Sequence, residues 1–541
     1  MKGYSLLLAS MLALPKLFAQ DTHPNRADTL RGTLTPERTW WDVTDYDLHI
    51  QLNLQDSSIL GYNTIHYRVV GPVVRMQIDL QQPMQIDSII QDRQPVKYTR
   101  DGNAFFVTLT APQPQGALRQ LTVYYHGVPK KAKRAPWDGG LVWTRDSLNR
   151  PWIASACQGL GASVWWPTKE HQSDECDSMQ IAVTVPSDLI DVSNGRLREK
   201  EVHGNGTTTY HWAVVNPINN YDIALNIAHY ANFKDTYPGL DGKLDLDFWP
   251  LDYNLDRARV QFAGAKPMLS CFEHWFGPYP FYKDSYKLVE TPHLGMEHQS
   301  AVAYGNHYQM GYLGRDLSGT GWGLKFDFIL VHESGHEWFG NNITSKDLAD
   351  MWIHESFTNY SETLYLQCQF GNEAGNAYVQ GTRKDIQNRA AIIAQYGVNM
   401  EGSGDMYYKG GNMLHTIRQI INDDDIFRSI LTGLNKTFYH QTVTTQQVEH
   451  YISQHGGHDF SKVFDQYLRN IKVPVLEYKI AGKVLSYRWN DVVKGFNMPV
   501  KVTLRPDVFT FIYPREQWKT IPLAGTFKAD PNFYIITKQI K

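Results

Sequence analysis

From about Asp42 to Phe233 apolar and polar positions alternate in short runs: Leu48, Ile50, Leu52 and Leu54 are separated by His49, Gln51 and Asn53, and Ile65, Tyr67 and Val69 alternate with polar neighbours. Successive side chains of a strand point to opposite faces, so this period of two predicts an antiparallel β domain, placed at residues 38–235. Turn chemistry at Pro238-Gly239-Leu240-Asp241-Gly242 ends that rhythm. Helical spacing follows, in Phe326, Ile329 and Leu330 and again in Met413, Leu414, Ile417, Ile420 and Ile421, which predicts a mixed, helix-rich domain over residues 236–472. Beyond Pro474 alternation returns in Leu476/Tyr478/Ile480, Leu485/Tyr487/Trp489 and Val500/Val502/Leu504, with Ala481-Gly482-Lys483 as a hairpin turn. The predicted class is multidomain α+β, closing with a small C-terminal β-sandwich domain at residues 473–541.

The first twenty residues stand apart: Lys2 supplies positive charge, Tyr4 to Leu14 is almost wholly apolar, and Leu17-Phe18-Ala19 offers a small-residue cleavage site. That pattern predicts a secretory signal peptide over residues 1–20 and export to the periplasm or the extracellular space. The polar stretch from Gln20 to about Glu37 has no periodicity and is expected to be unstructured, and without a Cys near the cleavage site no lipid anchor is expected. No later stretch approaches about 18 consecutive apolar residues, so no membrane span is expected. Charge narrows the partners further: 52 Lys+Arg against 55 Asp+Glu gives a net −3, without the basic footprint that nucleic acid or an anionic membrane requires. Cys157, Cys176, Cys271 and Cys368 include no C-x-x-C pair and are expected to be semi-buried free thiols.

Chemistry concentrates at His332-Glu333-Ser334-Gly335-His336, inside the apolar-periodic run Leu324 to Phe339, which predicts a buried helix. Residues four apart share a helical face, so both imidazoles can reach one tetrahedral zinc, and Glu333 lies beside its water as general base. After an eighteen-residue gap, Glu355 completes a His₂Glu ligand set that leaves one coordination position open. Glu362, seven residues further on, shares the helical face of Glu355 and is expected to accept the other N–H of a ligand imidazole.

With these residues in place, the sequence resembles the gluzincin zinc aminopeptidases typified by aminopeptidase N and the leukotriene epoxide hydrolase/aminopeptidase. Leu294-Gly295-Met296-Glu297-His298 is similar to that family's G-A-M-E-N motif. The resemblance implies that Glu297 binds the free α-ammonium of a peptide, with Gly295 and Met296 beside it. Tyr407-Tyr408-Lys409-Gly410 resembles Y-E-K-G, which maps the oxyanion-stabilising tyrosine onto Tyr407. Gln158, in Gln158-Gly159-Leu160-Gly161-Ala162 ahead of Trp165-Trp166-Pro167, resembles the glutamine that lines the first substrate pocket. The family implies a thermolysin-like catalytic domain, one Zn²⁺ per chain and peptide substrates with a free N-terminus, and leaves an oligomer open. Departures are His298 for Asn, Leu294 for Gly, His354 for the Asn before the zinc Glu, and Cys176 for Pro. The long members' helical C-terminal domain has no counterpart, so a short form is expected. The rival readings are a zinc endopeptidase, which would have no use for Glu297, and a non-catalytic peptide-binding protein, which would not need Glu333.

Overall fold

Alternation in the first half of the chain builds an eight-stranded sheet. In the computed structural model, which describes residues 23–541 apart from Val74, Ala111 and Asp507, strand Trp41–Asn53 pairs antiparallel with Ser58–Val69, setting Tyr46 opposite Ile65 and Leu48 opposite Asn63. The signal-peptide expectation for residues 1–20 lies outside the described residues. Leu48, Ile50, Leu52, Ile65, Tyr67 and Val69 are all buried, as their alternation requires; Leu54 falls in the turn after the strand. Each aliphatic side chain buried this way contributes about 1.5–3 kcal/mol. One pairing departs from the antiparallel pattern: Trp41–Asn53 runs parallel to Ser178–Pro186, with Leu48 opposite Ile181. Parallel neighbours need a long crossover, and the chain uses it to form other strands, among them Gly140–Arg145 and Pro151–Ala156.

From residue 23 on, the polar segment before this sheet is ordered, contrary to expectation. Helix α1 (Arg26–Gly32) carries a capping box between Asn25 and Asp28, and a helical turn at Pro36–Thr39 follows. No residue of α1 is buried, so it leaves no hydrophobic period to read; capping and long-range hydrogen bonds hold it. Arg38 is fully buried and pairs with Asp79 at 2.6 Å.

The turn cluster at Pro238 to Gly242 closes a hairpin between Phe233–Gly239 and Gly242–Trp249, which opens a five-stranded sheet with Tyr286–Glu290, Val302–Tyr304 and Gly295–Met296. Around it pack α2 (Ala265–Phe276), α3 (Phe328–Gly335), α4 (Trp352–Phe370) and α5 (Tyr408–Ile421). α3 is shorter than the run Leu324 to Phe339: the Asp327 side chain caps its start by accepting from the Leu330 N–H, and Leu324 is exposed in the preceding turn. Every residue of α4 from Trp352 to Leu366 is buried. A Cys271–Cys368 disulfide ties α2 to the end of α4, which corrects the free-thiol expectation for that pair; Cys157 and Cys176 are buried free thiols.

At the C-terminus Val475–Ala481 and Val484–Asn490 form the expected hairpin around Gly482, whose φ of +60° suits a tight turn. They join Lys519–Pro522 and Ile536–Gln539 in one sheet, beside the pair Val500–Arg505/Val508–Ile512. Leu476, Leu485, Trp489, Val500 and Val502 continue the apolar core of the helical body. No helix among the described residues is long and apolar enough to cross a membrane.

Candidate active site

The last turn of α3 presents His332, and His336 caps its end in helical conformation, so the two rings stay on one face with centroids 5.1 Å apart. Glu355, in the first turn of α4, faces both: its Oε2 is 3.8 Å from His332 Nε2 and 3.5 Å from His336 Nε2. These separations are too long for good hydrogen bonds, whereas donors about 2.0–2.2 Å from a tetrahedral zinc stand roughly 3.4 Å apart. Burial pushes His332 down to about 3 and His336 to about 4, so both imidazoles are neutral, the form that ligates metal.

Their other nitrogens are engaged. His332 Nδ1–H donates to Glu362 Oε1 at 2.7 Å, and Glu362 is itself held by Asn359 Nδ2 at 3.1 Å and the Tyr378 hydroxyl at 2.6 Å. His336 Nδ1–H donates to the Phe339 carbonyl at 3.1 Å. Both Nε2 lone pairs therefore point at the space shared with Glu355, which is the arrangement a metal needs from its ligands' outer contacts. Glu362 thus occupies the position read from its spacing.

Glu297 follows strand Gly295–Met296 and is buried, with Oε1 lacking a hydrogen-bond partner. One donor atom from each of Glu297, Glu333 and His336 falls within 4.8 Å of the others, as do those of His332, His336 and Glu355. Gly295 makes this approach feasible, because a Cβ there would lie 2.8 Å from Glu333 Oε1. Met296 lines the same cleft. Burial first, and then the negative charge of Glu297, drive Glu333 and Glu355 well above the usual carboxylate range.

Tyr407 sits just before α5, its neighbour Met406 pinned to α4 by a 2.7 Å bond from the Ser356 hydroxyl. The Tyr407 hydroxyl is within electrostatic reach of Glu355, and its ring lies along that of His332 with centroids 6.1 Å apart. Tyr408 also lines the cleft, but the charges it meets are Glu362 and Asp385. Of the two tyrosines, Tyr407 is therefore the one set beside the His332/Glu355 pair. Gln158 lies across the cleft, its Nε2 3.5 Å from Glu401 Oε1.

The departures from the motif pattern have separate consequences. His354 Nε2 accepts the Ser345 N–H at 2.7 Å, so its role is to hold the chain behind the site. His298 is fully buried with neither ring nitrogen hydrogen-bonded, and burial pushes it down to about 3. Glu401, Tyr378 and Trp137 were not legible in the sequence, because they lie on segments without a motif and meet the site only through packing; Asn359 lies between Glu355 and Glu362 on α4, one helical turn from each. α1 is a further surprise: Arg31 Nη1 donates to the Gly159 carbonyl at 2.8 Å, the Thr33 hydroxyl to the Gly397 carbonyl at 2.7 Å, and Gly32 packs against the backbone of Val398. It thereby braces the two loops that carry Gln158 and Glu401.

Two neutral imidazoles and a buried carboxylate whose Oε2 has no hydrogen-bond partner form a donor set that fits zinc. Residues 261–467 match the Peptidase family M1 domain. Curated relatives include Probable aminopeptidase 2 of Sulfurisphaera tokodaii, 20% identical over 88% of this chain and 60% of its own length, and Leucyl aminopeptidase of Saccharolobus solfataricus, 21% identical over 66% of this chain and 46% of its own. The chain therefore spans less than two thirds of these relatives. Among solved structures, the M1 zinc metallopeptidase of Deinococcus radiodurans superposes with a TM-score of 0.69 at 21% identity, over 81% of this chain and 95% of its own. A variant of that protein bound to a Tyr-Ser-Ala substrate superposes with a TM-score of 0.67 at 20% identity, over 81% and 96%. That likeness establishes the fold, an α+β body with a β-rich N-terminal part and a mixed α/β part after it.

Proposed function

We infer that this chain, which carries a Peptidase family M1 domain over residues 261–467, is an exported zinc aminopeptidase that removes N-terminal residues from peptides. The observation that carries the reading is the buried, unpartnered Oε1 of Glu297 beside Glu333 and His336, a built-in acceptor for a substrate ammonium. An endopeptidase would leave that oxygen desolvated and unused. The aminopeptidase names of the relatives and the tripeptide on the structural neighbour point the same way. Export draws support from the N-terminal apolar segment and from Cys271–Cys368, since disulfides persist in oxidising compartments.

His332, His336 and Glu355 would hold one zinc per chain, which when bound acts as a Lewis acid toward the scissile carbonyl and the attacking water. Glu297 binds the α-ammonium and so sets the first peptide bond, and no later one, against these ligands. Glu333 takes the proton of the water whose oxygen joins the carbonyl carbon; as the C–N bond breaks, it returns that proton to the leaving amine. Its environment, which disfavours the ionised form, strengthens it as the acceptor of the water's proton. The Tyr407 hydroxyl donates to the oxygen on which negative charge develops. Glu362, held by Asn359 and Tyr378, keeps His332 in the tautomer that leaves Nε2 free.

Two measurements test these roles. Glu297→Ala should lower kcat/KM on free N-termini by about 30-fold or more, since truncating one partner of a buried charge pair costs roughly 2–5 kcal/mol. The preference over N-acetylated peptides should narrow with it; an unchanged preference favours the endopeptidase. Tyr407→Phe should lower kcat by about 10²–10³, the scale of one oxyanion donor. Near-normal kcat there, with collapse in Tyr408→Phe, would move the role one residue along.

A further inference from the structure

Trp137 is 69% exposed at the mouth of the catalytic cleft. Its loop is braced: the Asp138 carboxylate accepts the N–H groups of Lys133 at 2.7 Å and Arg134 at 2.9 Å, and the Trp137 N–H donates to the Arg134 carbonyl at 3.1 Å. The loop backbone is thus fixed, and the Trp137 indole stands open to water beside the cleft, a large aromatic face free to take a partner. Two adjoining hollows share Trp137 and Gln158 as wall. One holds Glu297, Glu333 and the His332/His336/Glu355 set, and the other holds Glu401.

Glu401 has acceptor capacity to spare. Its hydrogen bond from Gln158 is 3.5 Å long, at the limit of such contacts, and burial works against its charge. Arg31 offsets part of that cost, but its guanidinium is committed to the Gly159 carbonyl at 2.8 Å and lies 3.9 Å from Glu170. Glu401 lies in the hollow next to the cleft, behind the shared wall of Trp137 and Gln158, and its negative charge is felt at Glu355 and at Tyr407. With the ammonium at Glu297 and the carbonyl at the ligand set, the side chain of the first substrate residue has the Gln158 side of the cleft to enter. That side offers an indole face and a carboxylate.

We propose that Trp137 and Glu401 form the first-residue pocket and select a basic side chain, arginine above lysine. A guanidinium can lie flat on the indole while its N–H groups donate to Glu401, whereas an ammonium is a compact point charge that cannot stack. An aliphatic side chain would cover the indole but leave Glu401 desolvated without a partner. The proposal rests on the aminopeptidase reading.

The test compares kcat/KM for arginyl, lysyl, leucyl and alanyl fluorogenic substrates on the zinc-loaded full chain. Arginyl should exceed leucyl by about tenfold or more, and Glu401→Gln should lower that ratio by about tenfold, with Glu401→Asp recovering part of it. Trp137→Ala should lower the arginyl-to-alanyl ratio. Wild-type preference for leucyl, or a ratio unmoved by Glu401→Gln, overturns the proposal. If no substrate is turned over, the aminopeptidase reading fails, and calorimetry with arginine amide against leucine amide still decides the pocket. Tighter arginine amide binding that Glu401→Gln abolishes upholds it, and equal binding of the two overturns it.

Discussion

Glu333→Gln is expected to keep its zinc and lose about 10³-fold or more in kcat. The amide matches the carboxylate in shape, so His332, His336 and Glu355 keep their places, but it can neither take the water's proton nor return it; general acid–base groups contribute about 10²–10⁴-fold. Stability should not fall with activity. Glu333 is a buried carboxylate facing Glu297, and a neutral amide of the same shape avoids placing an ionisable group there. Metal analysis, a thermal melt and kcat on one alanyl substrate check all three points. A kcat within tenfold of wild type would remove Glu333 from the chemistry, and would revive the non-catalytic binding protein if the wild type were equally slow.

His336→Ala should reduce zinc from about one per chain to a trace, with activity lost in parallel. A tetrahedral site with three protein ligands cannot be closed by the two that remain, and the outer contacts of His332 cannot compensate, because Glu362 orients one ring only. The melting temperature should drop as well, since a metal held at 1,000 times its Kd stabilises the native state by about 4 kcal/mol. Chelation of the wild type should reproduce that drop. The informative control is His354→Ala, which lies as close in sequence to Glu355 as a residue can. His354 Nε2 is taken up by the Ser345 N–H, so this variant should keep its zinc while losing about 1–3 kcal/mol of stability to the orphaned donor. Full zinc occupancy in His336→Ala, or its loss in His354→Ala, would overturn the ligand assignment.

Short-range periodicity determined a good deal here. Alternation at Leu48, Ile50, Ile65 and Tyr67 marks the buried face of the N-terminal sheet because a strand's period of two is a local property of the backbone. Four-residue spacing put His332 and His336 on one face, and the seven-residue step from Glu355 put Glu362 on the same side of α4, for the same reason at helical pitch. Where elements begin and end was less legible: α3 starts at the Asp327 cap, inside the apolar run, since a cap competes locally with hydrophobic pattern.

Everything that depends on which segments meet was decided by the tertiary structure. The parallel pairing of Trp41–Asn53 with Ser178–Pro186 joins residues more than a hundred positions apart, and no local pattern encodes it. α1 has no buried residue and so no periodic signal, yet its hydrogen bonds to Gly159 and Gly397 brace both walls of the cleft. Cys271 and Cys368 are 97 residues apart in the chain and pair only because α2 packs on α4. Glu401 and Trp137 carry no motif; packing alone brings Trp137 to the cleft and Glu401 to the hollow next to it. The candidate ligand set was legible because helical period fixes it over a few positions; Trp137 and Glu401 were not, because they sit on loops whose positions only long-range contacts define.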